Sequence, residues 1–436
     1  MNTTFSYRLS LSYVFLVTLI LLLLFNGFIT NFLSFTSFGL GTLLVDLLIM
    51  LQIAHLVLTL VYLYFTNQKI DKEWYLLAGI WLVLLLLTLA KLLFIDDNAL
   101  RDRVLGLRNN LIYCLPVVYL PLFLQKEHLI KKSITFLLTG GVFLCLFAVF
   151  QFVFSSHLSL TWLVLRGEGA FSFYDQDITR PTALMGNTII FASFTLLLFS
   201  LLFSKYITQR KRIYLLILAI VLTANYFTYT RATLVGFLLI GMAILVLHTG
   251  RWTVHYALKV IVSLSILLSL IFGLGYYFRD TFLVKRVTGR ELSTISSNEG
   301  HFSMIDESIL YLKEHYLAGS GIGSQGPSAN PDTVIITDGY WFQLFLENGL
   351  PLGLVYLAFY LFCLLYALQA FLKTKNLLLK QLCLAFLGLS VYYYAASFIN
   401  SAFIGRVNFI LYWVLFGLIV AQRLITKKSH HALPRH

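Results

Sequence analysis

The sequence predicts an all-α, polytopic membrane protein with about twelve transmembrane helices and a long external, periplasmic loop between spans 9 and 10. Hydrophobic residues make up 59% of the chain and charged residues only 12%, whereas a soluble domain carries about 25% charge. Apolar runs of ~18 or more residues recur throughout, which argues against a soluble helical protein. Residues 1–436 are expected to form a single integral membrane domain, with 279–348 inserted as an external loop containing short helices.

Each apolar run must be helical, because lipid offers the backbone no hydrogen-bond partner. The fourth run is short, and an upstream extension through Arg108 would lengthen it. The predicted spans are 11–29, 39–65, 75–94, 111–124, 134–154, 188–204, 213–229, 232–248, 260–278, 349–372, 382–400 and 407–425.

The connecting loops alternate in charge. One set contains 19 Lys and Arg residues and three acids (Asp71, Glu73 and Glu127). The other set contains 12 Lys and Arg residues and 15 acids. Excess Lys and Arg marks the cytoplasmic side of short loops. Both termini are therefore predicted inside and 279–340 outside. The net charge of +13 then reflects topology rather than a nucleic-acid partner.

The bases predicted outside are mostly arginine. Arginine offers a rigid fork that grips phosphate bidentately, which lysine does not. This preference indicates an anionic ligand, and ion pairing with the outer acids is the alternative. The outer arginines are Arg101, Arg103, Arg108, Arg166, Arg180, Arg231, Arg279, Arg286, Arg290 and Arg406.

Two of these arginines are singled out by their surroundings. Arg231 lies in the tight connection YTRATL between two apolar spans, at a depth where charge is costly and usually paired or functional. Snorkelling to the headgroups is its alternative explanation. Arg180 precedes Pro181 and a span, and pairing with Asp175 or Asp177 is its alternative.

A further outer loop, 95–110, is expected to contain a short helix. Asp96 or Asn98 would cap it, and Arg101 and Arg108 would lie on nearby faces.

The long polar segment 279–353 contains three local patterns. Residues 298–316 have helical periodicity, with Ser297 or Asn298 as the expected cap. The glycine-rich stretch AGSGIGSQG follows, which permits close approach to a ligand or simply ends the helix flexibly. Asp338 then stands where a helix N-cap would stand, and Gly349 and Pro351 should break that helix before the next span.

No metal site or cofactor is predicted. The acids of Tyr174–Asp177 are too few for a cation site, and the glycine-rich stretch lacks the Lys-Ser/Thr ending of a phosphate-binding loop. The four cysteines fall inside apolar runs without metal-ligand spacing and are expected to be packing residues.

These motifs occur in an order that resembles the O-antigen polymerase and O-antigen ligase superfamily of bacterial membrane glycosyltransferases. YTRATLVG resembles its small-Arg-x-x-Leu element, and RPTALMGN resembles its Arg-x-x-Gly-x-x-x-Asn-Pro stretch. SNEGHFSMIDESILYLKEHYLAGSGIG resembles the external helix and glycine turn, and DGYWFQLFLENGLPLGLVY resembles the element that opens the next span. The external helix usually begins Gly-Arg, so His301 or Arg290 would substitute here. Asp338 stands where ligases carry His, which favours a polymerase.

The resemblance implies transfer of a growing glycan from undecaprenyl diphosphate to an acceptor repeat unit, outside the bacterial cytoplasmic membrane. Asp338, Arg231 and His301 would be catalytic, and Arg180, Arg290, Arg108 and Tyr340 would bind the diphosphate or the sugar. The product would be O antigen, enterobacterial common antigen, capsule or exopolysaccharide. The implied partners are the lipid-linked oligosaccharide, membrane lipid, a chain-length regulator and a flippase.

Three other functions are considered. A ligase would make the same bond onto lipid A core. A transporter or flippase is disfavoured because no repeat relates the two halves and intramembrane charge is slight (Asp46, His55 and Lys91). A polyprenyl-phosphate-sugar glycosyltransferase usually carries an acid in the first outer loop, and 30–38 contains none.

Overall fold

The computed structural model describes residues 3–32, 40–157, 180–249, 292–325, 337–400, 403 and 406–431. Within these ranges the chain forms α-helices joined by short connections, and no strand occurs there. The helices are α1 (Thr3–Leu24), α2 (Asn26–Phe32), α3 (Leu40–Phe65), α4 (Lys72–Phe94), α5 (Leu100–Asn110), α6 (Pro116–Phe123), α7 (Glu127–Val153), α8 (Thr188–Gln209), α9 (Ile213–Tyr226), α10 (Arg231–Thr249), α11 (Leu292–Glu314), α12 (Tyr340–Lys373), α13 (Leu377–Ala396) and α14 (Arg406–His431).

The all-α polytopic fold is confirmed. Eight of the described helices are long and apolar enough to cross a membrane, and Leu11–Leu24 and Ile213–Tyr226 form shorter apolar helices. The predicted span 260–278 lies outside the described residues, and every other predicted span overlaps a helix. The count of about twelve spans stays a prediction.

The fourth predicted span is not a continuous helix. It consists of a 3₁₀ turn, Ile112–Cys114, followed by α6, and the upstream residues form the separate helix α5. Pro116 begins α6 and every residue of α6 is buried, so its irregular backbone is shielded from lipid by protein. Gly417 of α14 makes this possible, because a Cβ there would lie 2.4 Å from the carbonyl oxygen of Pro116.

Three helices form the centre of the bundle. The apolar windows of α8, α13 and α14 are 78%, 78% and 83% buried, against 28% for α4 and α10. The central helices carry buried polar residues that bond inside the bundle. Ser390 on α13 pairs with Tyr412 on α14 at 2.9 Å, and Gln381 donates to Thr208 of α8 at 2.7 Å. Polar bonds and small residues hold helices together in lipid, where apolar burial gives no net gain.

The two ends of the bundle differ in their polar residues. At one end, Glu73 at the start of α4 accepts hydrogen bonds from Arg423 near the end of α14 and Tyr366 near the end of α12. Lys427 also pairs with Glu73. This end, which contains Lys69, Lys131, Lys427 and Lys428, is called the lysine end. The end containing the start of α10, the start of α12 and the end of α13 is called the arginine end.

Two predicted helix starts are wrong. The helix expected from 298 runs from Leu292, so Ser297 and Asn298 lie inside it and do not cap it. Serine and asparagine favour caps but are tolerated within helices. Helix α5 is present, but its N-cap is Ala99, without a side-chain hydrogen bond, rather than Asp96 or Asn98. Those two side chains are used in tertiary contacts instead.

Candidate active site

Arg180 is bonded to the turn that precedes Arg231. Its Nε donates to the carbonyl oxygen of Thr228 at 2.7 Å, and its Nη2 donates to the hydroxyl of Thr230 at 3.0 Å. Thr230 is followed directly by Arg231, the first residue of α10. Both arginine side chains are half-buried. The two candidate arginines, 51 positions apart in the sequence, therefore belong to one local structure.

A buried asparagine holds this turn in place. Asn225, 1% exposed, donates to the hydroxyl of Thr195 on α8 at 2.8 Å and accepts from the hydroxyl of Thr233 on α10 at 3.0 Å. Its carbonyl oxygen accepts from the hydroxyl of Thr228 at 2.7 Å. Buried polar groups are stable only when bonded in this way. The network therefore fixes the ends of three helices beneath Arg231.

Tyr229 occupies the middle of the turn in an unusual backbone conformation. Its φ is +49°, in the left-handed region that non-glycine residues rarely adopt. Its ring packs near those of Phe152 and Tyr226, with ring centroids 6.2 and 6.1 Å away.

The packing of α10 on α13 determines where Arg231 lies along the bundle. A Cβ on Gly388 would lie 2.8 Å from Ile244, and a Cβ on Gly236 would lie 2.9 Å from the ring of Tyr392. As numbers rise along α13 they fall along α10, so the helices are antiparallel. Arg231 precedes Gly236 by little more than one helical turn, which brings it level with the C-terminal end of α13.

The segment containing Asp338 is anchored to that same end of α13. The backbone N–H of Trp341 donates to the carbonyl oxygen of Ser397 at 3.1 Å, and its indole N–H donates to the carbonyl oxygen of Tyr394 at 2.9 Å. Asp338 is half-buried, and the N-cap of α12 is Gly339 rather than Asp338. Arg231 and Asp338, 107 positions apart in the sequence, are thus both brought to the C-terminal end of α13.

A second polar cluster holds the residue that precedes Asp338. Gln325 accepts a hydrogen bond at its side-chain oxygen from the amide of Thr337, 3.3 Å away, and Thr337 directly precedes Asp338. The amide of Gln325 donates to the carboxylate of Glu347 at 3.1 Å. Glu347 is 5% exposed and also accepts from the side chain of Asn110. Neither Gln325 nor Glu347 is among the site residues predicted from the sequence, although an acid in an otherwise apolar stretch is a usable signal for Glu347.

The glycine-rich stretch forms an ordered turn rather than a flexible helix end. Asp96 accepts from the amide of Ile322 at 3.0 Å, and Asn98 donates to the carbonyl oxygen of Ser320 at 3.1 Å. Gly323 has φ +80°, and a Cβ there would lie 1.9 Å from the carbonyl oxygen of Asp102 on α5. These glycines therefore allow the turn to approach α5 closely.

Gly349 divides α12 into a short first segment and the long helix that follows, as the sequence predicts. Its φ of +69° and ψ of 172° are not helical. Around it, the amide of Ser320 donates to the carbonyl oxygen of Leu346 at 2.6 Å, and the amide of Leu350 donates to that of Tyr316 at 2.7 Å. The break lets the residues that follow α11 pair with α12.

Residues 214–357 match the O-antigen ligase family model. This family covers O-antigen ligases and polymerases, and the match confirms the superfamily that the motifs resemble. It supports a glycosyltransferase-like enzyme that acts on lipid-linked glycans in a membrane. Comparison with curated proteins gives no significant match.

The segment that matches the O-antigen ligase model contains Arg231, Asp338 and Glu347. Arg180, Asp96 and Asn110 lie outside it, yet each bonds to a residue within it. Residues 214–357 are thus contacted by polar residues from the N-terminal half of the chain.

The other predicted site residues are placed as follows. Arg108 pairs with Asp46 at 2.7 Å, and Asp46 also accepts from Tyr113 at 2.8 Å. Tyr340 is 2% exposed and its hydroxyl pairs with that of Tyr360. Its ring packs against Tyr360, Phe403 and Phe409, which lie beyond the matched residues 214–357. His301 lies within α11, and Arg290 lies outside the described residues.

The remaining charge and thiol predictions concern groups inside the bundle. Lys91 forms an ion pair with Asp96, and His55 Nδ1 lies 2.9 Å from the hydroxyl of Tyr119. The four cysteines are buried and free, which confirms that they are packing residues. Within the described ranges no group of three or more His, Cys, Asp and Glu is arranged to hold a metal ion. Asp175 and Asp177 lie outside those ranges.

Proposed function

We propose that this protein is a polymerase of an undecaprenyl-diphosphate-linked polysaccharide, acting on the outer face of the bacterial cytoplasmic membrane. It transfers the growing glycan from its lipid carrier to the sugar of an acceptor repeat unit. The observation that carries the proposal is the meeting of the Arg180–Arg231 turn and the Asp338 segment at the C-terminal end of α13. Cations and a carboxylate at one end of the bundle suit a reaction in which an anionic group leaves and a hydroxyl attacks.

In this reaction an acceptor hydroxyl attacks the anomeric carbon of the donor glycan. The bond between that carbon and the diphosphate oxygen breaks, and the lipid diphosphate leaves with the electron pair. Arg231 and Arg180 stabilise the negative charge that develops on the diphosphate, as fixed donors do in other transfer reactions. Asp338 accepts the proton of the attacking hydroxyl and then releases it to water.

The remaining candidates have supporting roles in this proposal. His301 is an alternative base or phosphate donor, and Arg290 assists at the diphosphate. Arg108 acts through its ion pair with Asp46, which holds α3 against α5, and the bond from Tyr113 to Asp46 adds the residues that follow α5. Tyr340 fixes the start of α12 through Tyr360. The charge on the leaving group is met by arginine, so the proposed reaction requires no metal or cofactor.

The test uses the purified full-length protein with lipid-linked repeat units, and the product is the ladder of polymer lengths. Arg231→Ala is expected to lower turnover roughly 100- to 1,000-fold, the usual effect of removing one transition-state donor. Arg101→Ala is the matched control, since Arg101 is an exposed arginine on α5 at the same end. Full activity of both Arg231→Ala and Asp338→Ala would contradict the assigned roles.

A ligase is the second candidate, because the matched family model carries that name. The glycan of the same lipid-linked donor would then be transferred once to lipid A core, and the lipid diphosphate would leave. Supplying both acceptors separates the two functions, since a polymerase gives a ladder without lipid A core and a ligase gives product only with it. The resemblance of Asp338 to the polymerase pattern, where ligases carry His, favours the ladder.

A further inference from the structure

A cavity opens at the lysine end of the bundle, far from the arginines discussed above. It has a volume of about 370 Å³ and lies between the α3–α4 connection, the end of α6 and the end of α14. Lys69 comes from the first of these, Gln125 follows α6, and Lys428 comes from the last. The cavity is therefore formed by three separate parts of the chain and opens beside the Lys-rich loops.

Two basic side chains, Lys69 and Lys428, and one acidic side chain, Asp71, line this cavity. No ion pair to Lys69 occurs among the described residues, and Lys428 contacts the side-chain oxygen of Gln125 at 3.3 Å. Asp71 also lines the cavity, but its carboxylate accepts the backbone amide of Glu73 at 2.9 Å and caps α4.

A second acid at this end, Glu73, pairs with bases that do not line the cavity. Glu73 forms an ion pair with Arg423 at 3.3 Å and another with Lys427. Lys69 and Lys428 are both exposed at the surface while lining the same cavity. An anion entering the cavity would therefore meet two ammonium groups and one carboxylate, that of Asp71, so the lining has a net positive charge.

The wall behind these lysines is apolar. Leu63, Leu122 and Leu424 line it and are 8%, 7% and 6% exposed. Trp74 also lines it, and its indole N–H is already bonded to the carbonyl oxygen of Val118 at 2.9 Å. A free phosphate ion would gain nothing from such a wall. A molecule with an anionic head and a hydrocarbon body matches both parts of the cavity.

We propose that this cavity binds one anionic phospholipid from the leaflet that surrounds the lysine end. The lipid phosphate lies between the ammonium groups of Lys69 and Lys428, and the glycerol and first acyl carbons pack on Leu63, Leu122 and Leu424. Basic pockets between transmembrane helices bind anionic headgroups for the same reason. This inference does not depend on the proposed polymerase activity.

Native mass spectrometry of the full-length protein in neutral detergent tests this site. Phosphatidylglycerol and phosphatidylcholine are titrated against the wild type and the double variant Lys69→Gln/Lys428→Gln. The matched control is Lys373→Gln/Lys375→Gln, which removes the same charge from exposed lysines at the same end but outside the cavity. Phosphatidylglycerol should bind the cavity variant more weakly by about fivefold for each lysine removed, and the control variant as it binds the wild type.

Three outcomes would overturn the proposal. Equal weakening in both double variants would mean general attraction to a basic surface. Equal binding of phosphatidylglycerol and phosphatidylcholine to the wild type would mean that charge is not recognised. Displacement of the lipid by millimolar inorganic phosphate would mean that free phosphate is the ligand. Unchanged melting temperatures for both double variants ensure that weaker binding is not caused by unfolding.

Discussion

The side chain of Arg180 donates a hydrogen bond from Nε to the carbonyl oxygen of Thr228, across a distance of 2.7 Å. A second bond, from Nη2 to the Thr230 hydroxyl, is 3.0 Å long. Two donors of one guanidinium thus fix two residues of the turn before Arg231. Lysine has no rigid fork and cannot reproduce this arrangement.

Two substitutions of Arg180 should therefore distinguish the effect of its positive charge on activity from the effect of its paired hydrogen bonds. Arg180→Ala is expected to lower polymer synthesis roughly 100-fold, because one donor to the leaving diphosphate is lost and the turn is released. Arg180→Lys keeps the charge but loses the paired bonds, so it should recover only a small part of the activity. Initial rates with lipid-linked repeat units provide the measurement, and full recovery by lysine would show that the fork has no role.

Turnover should depend on the basic oxygen of the Asp338 side chain rather than on the size of that side chain. Asp338→Asn keeps the shape but cannot accept a proton, so turnover should fall by roughly 100- to 10,000-fold while donor binding is retained. Turnover and donor affinity are measured separately on the same preparation. Loss of affinity with unchanged turnover would assign Asp338 to binding instead.

Glu347 should matter for stability as well as for activity. It is 5% exposed and accepts from Asn110 and from the amide of Gln325. Glu347→Leu leaves both donors buried without a partner, which should destabilise the fold by about 2–5 kcal/mol. Glu347→Gln retains one acceptor oxygen and should cost less. Thermal unfolding in detergent ranks the two variants, and equal melting temperatures would contradict this explanation.

Gly349 offers a test of the break in α12 with a second glycine as control. Its φ and ψ, +69° and 172°, lie in a region open essentially to glycine alone, and a Cβ would lie 2.2 Å from the carbonyl oxygen of Leu317. Gly349→Ala should therefore lower the melting temperature markedly. Gly79 has nothing within 4 Å of a Cβ and lies inside α4, so Gly79→Ala should be neutral or stabilising by up to about 1 kcal/mol. A harmless Gly349→Ala would mean that α12 can be continuous.

Several features of the site could be predicted from residues close in sequence. Arg231 is the one charged residue in the connection between two apolar runs, and Asp338 stands two residues before a helix that Gly349 interrupts. Each of these signals is local, because the cost of charge in lipid and the backbone freedom of glycine act on single positions. The supporting contacts were not predictable in this way. Asp96 and Asn98 have the composition of helix caps, yet they bond to a turn 222–226 residues later.

The sequence by itself determined that the chain is an all-α membrane protein, because backbone groups in lipid must bond within their own helix. It also indicated the superfamily, through short motifs whose order is readable along the chain. Only the tertiary structure decided that Arg180 supports Arg231, that Glu347 supports Asp338, and that α8, α13 and α14 are central. Apolar runs look alike whether they face lipid or protein, and only packing selects which polar side chains meet.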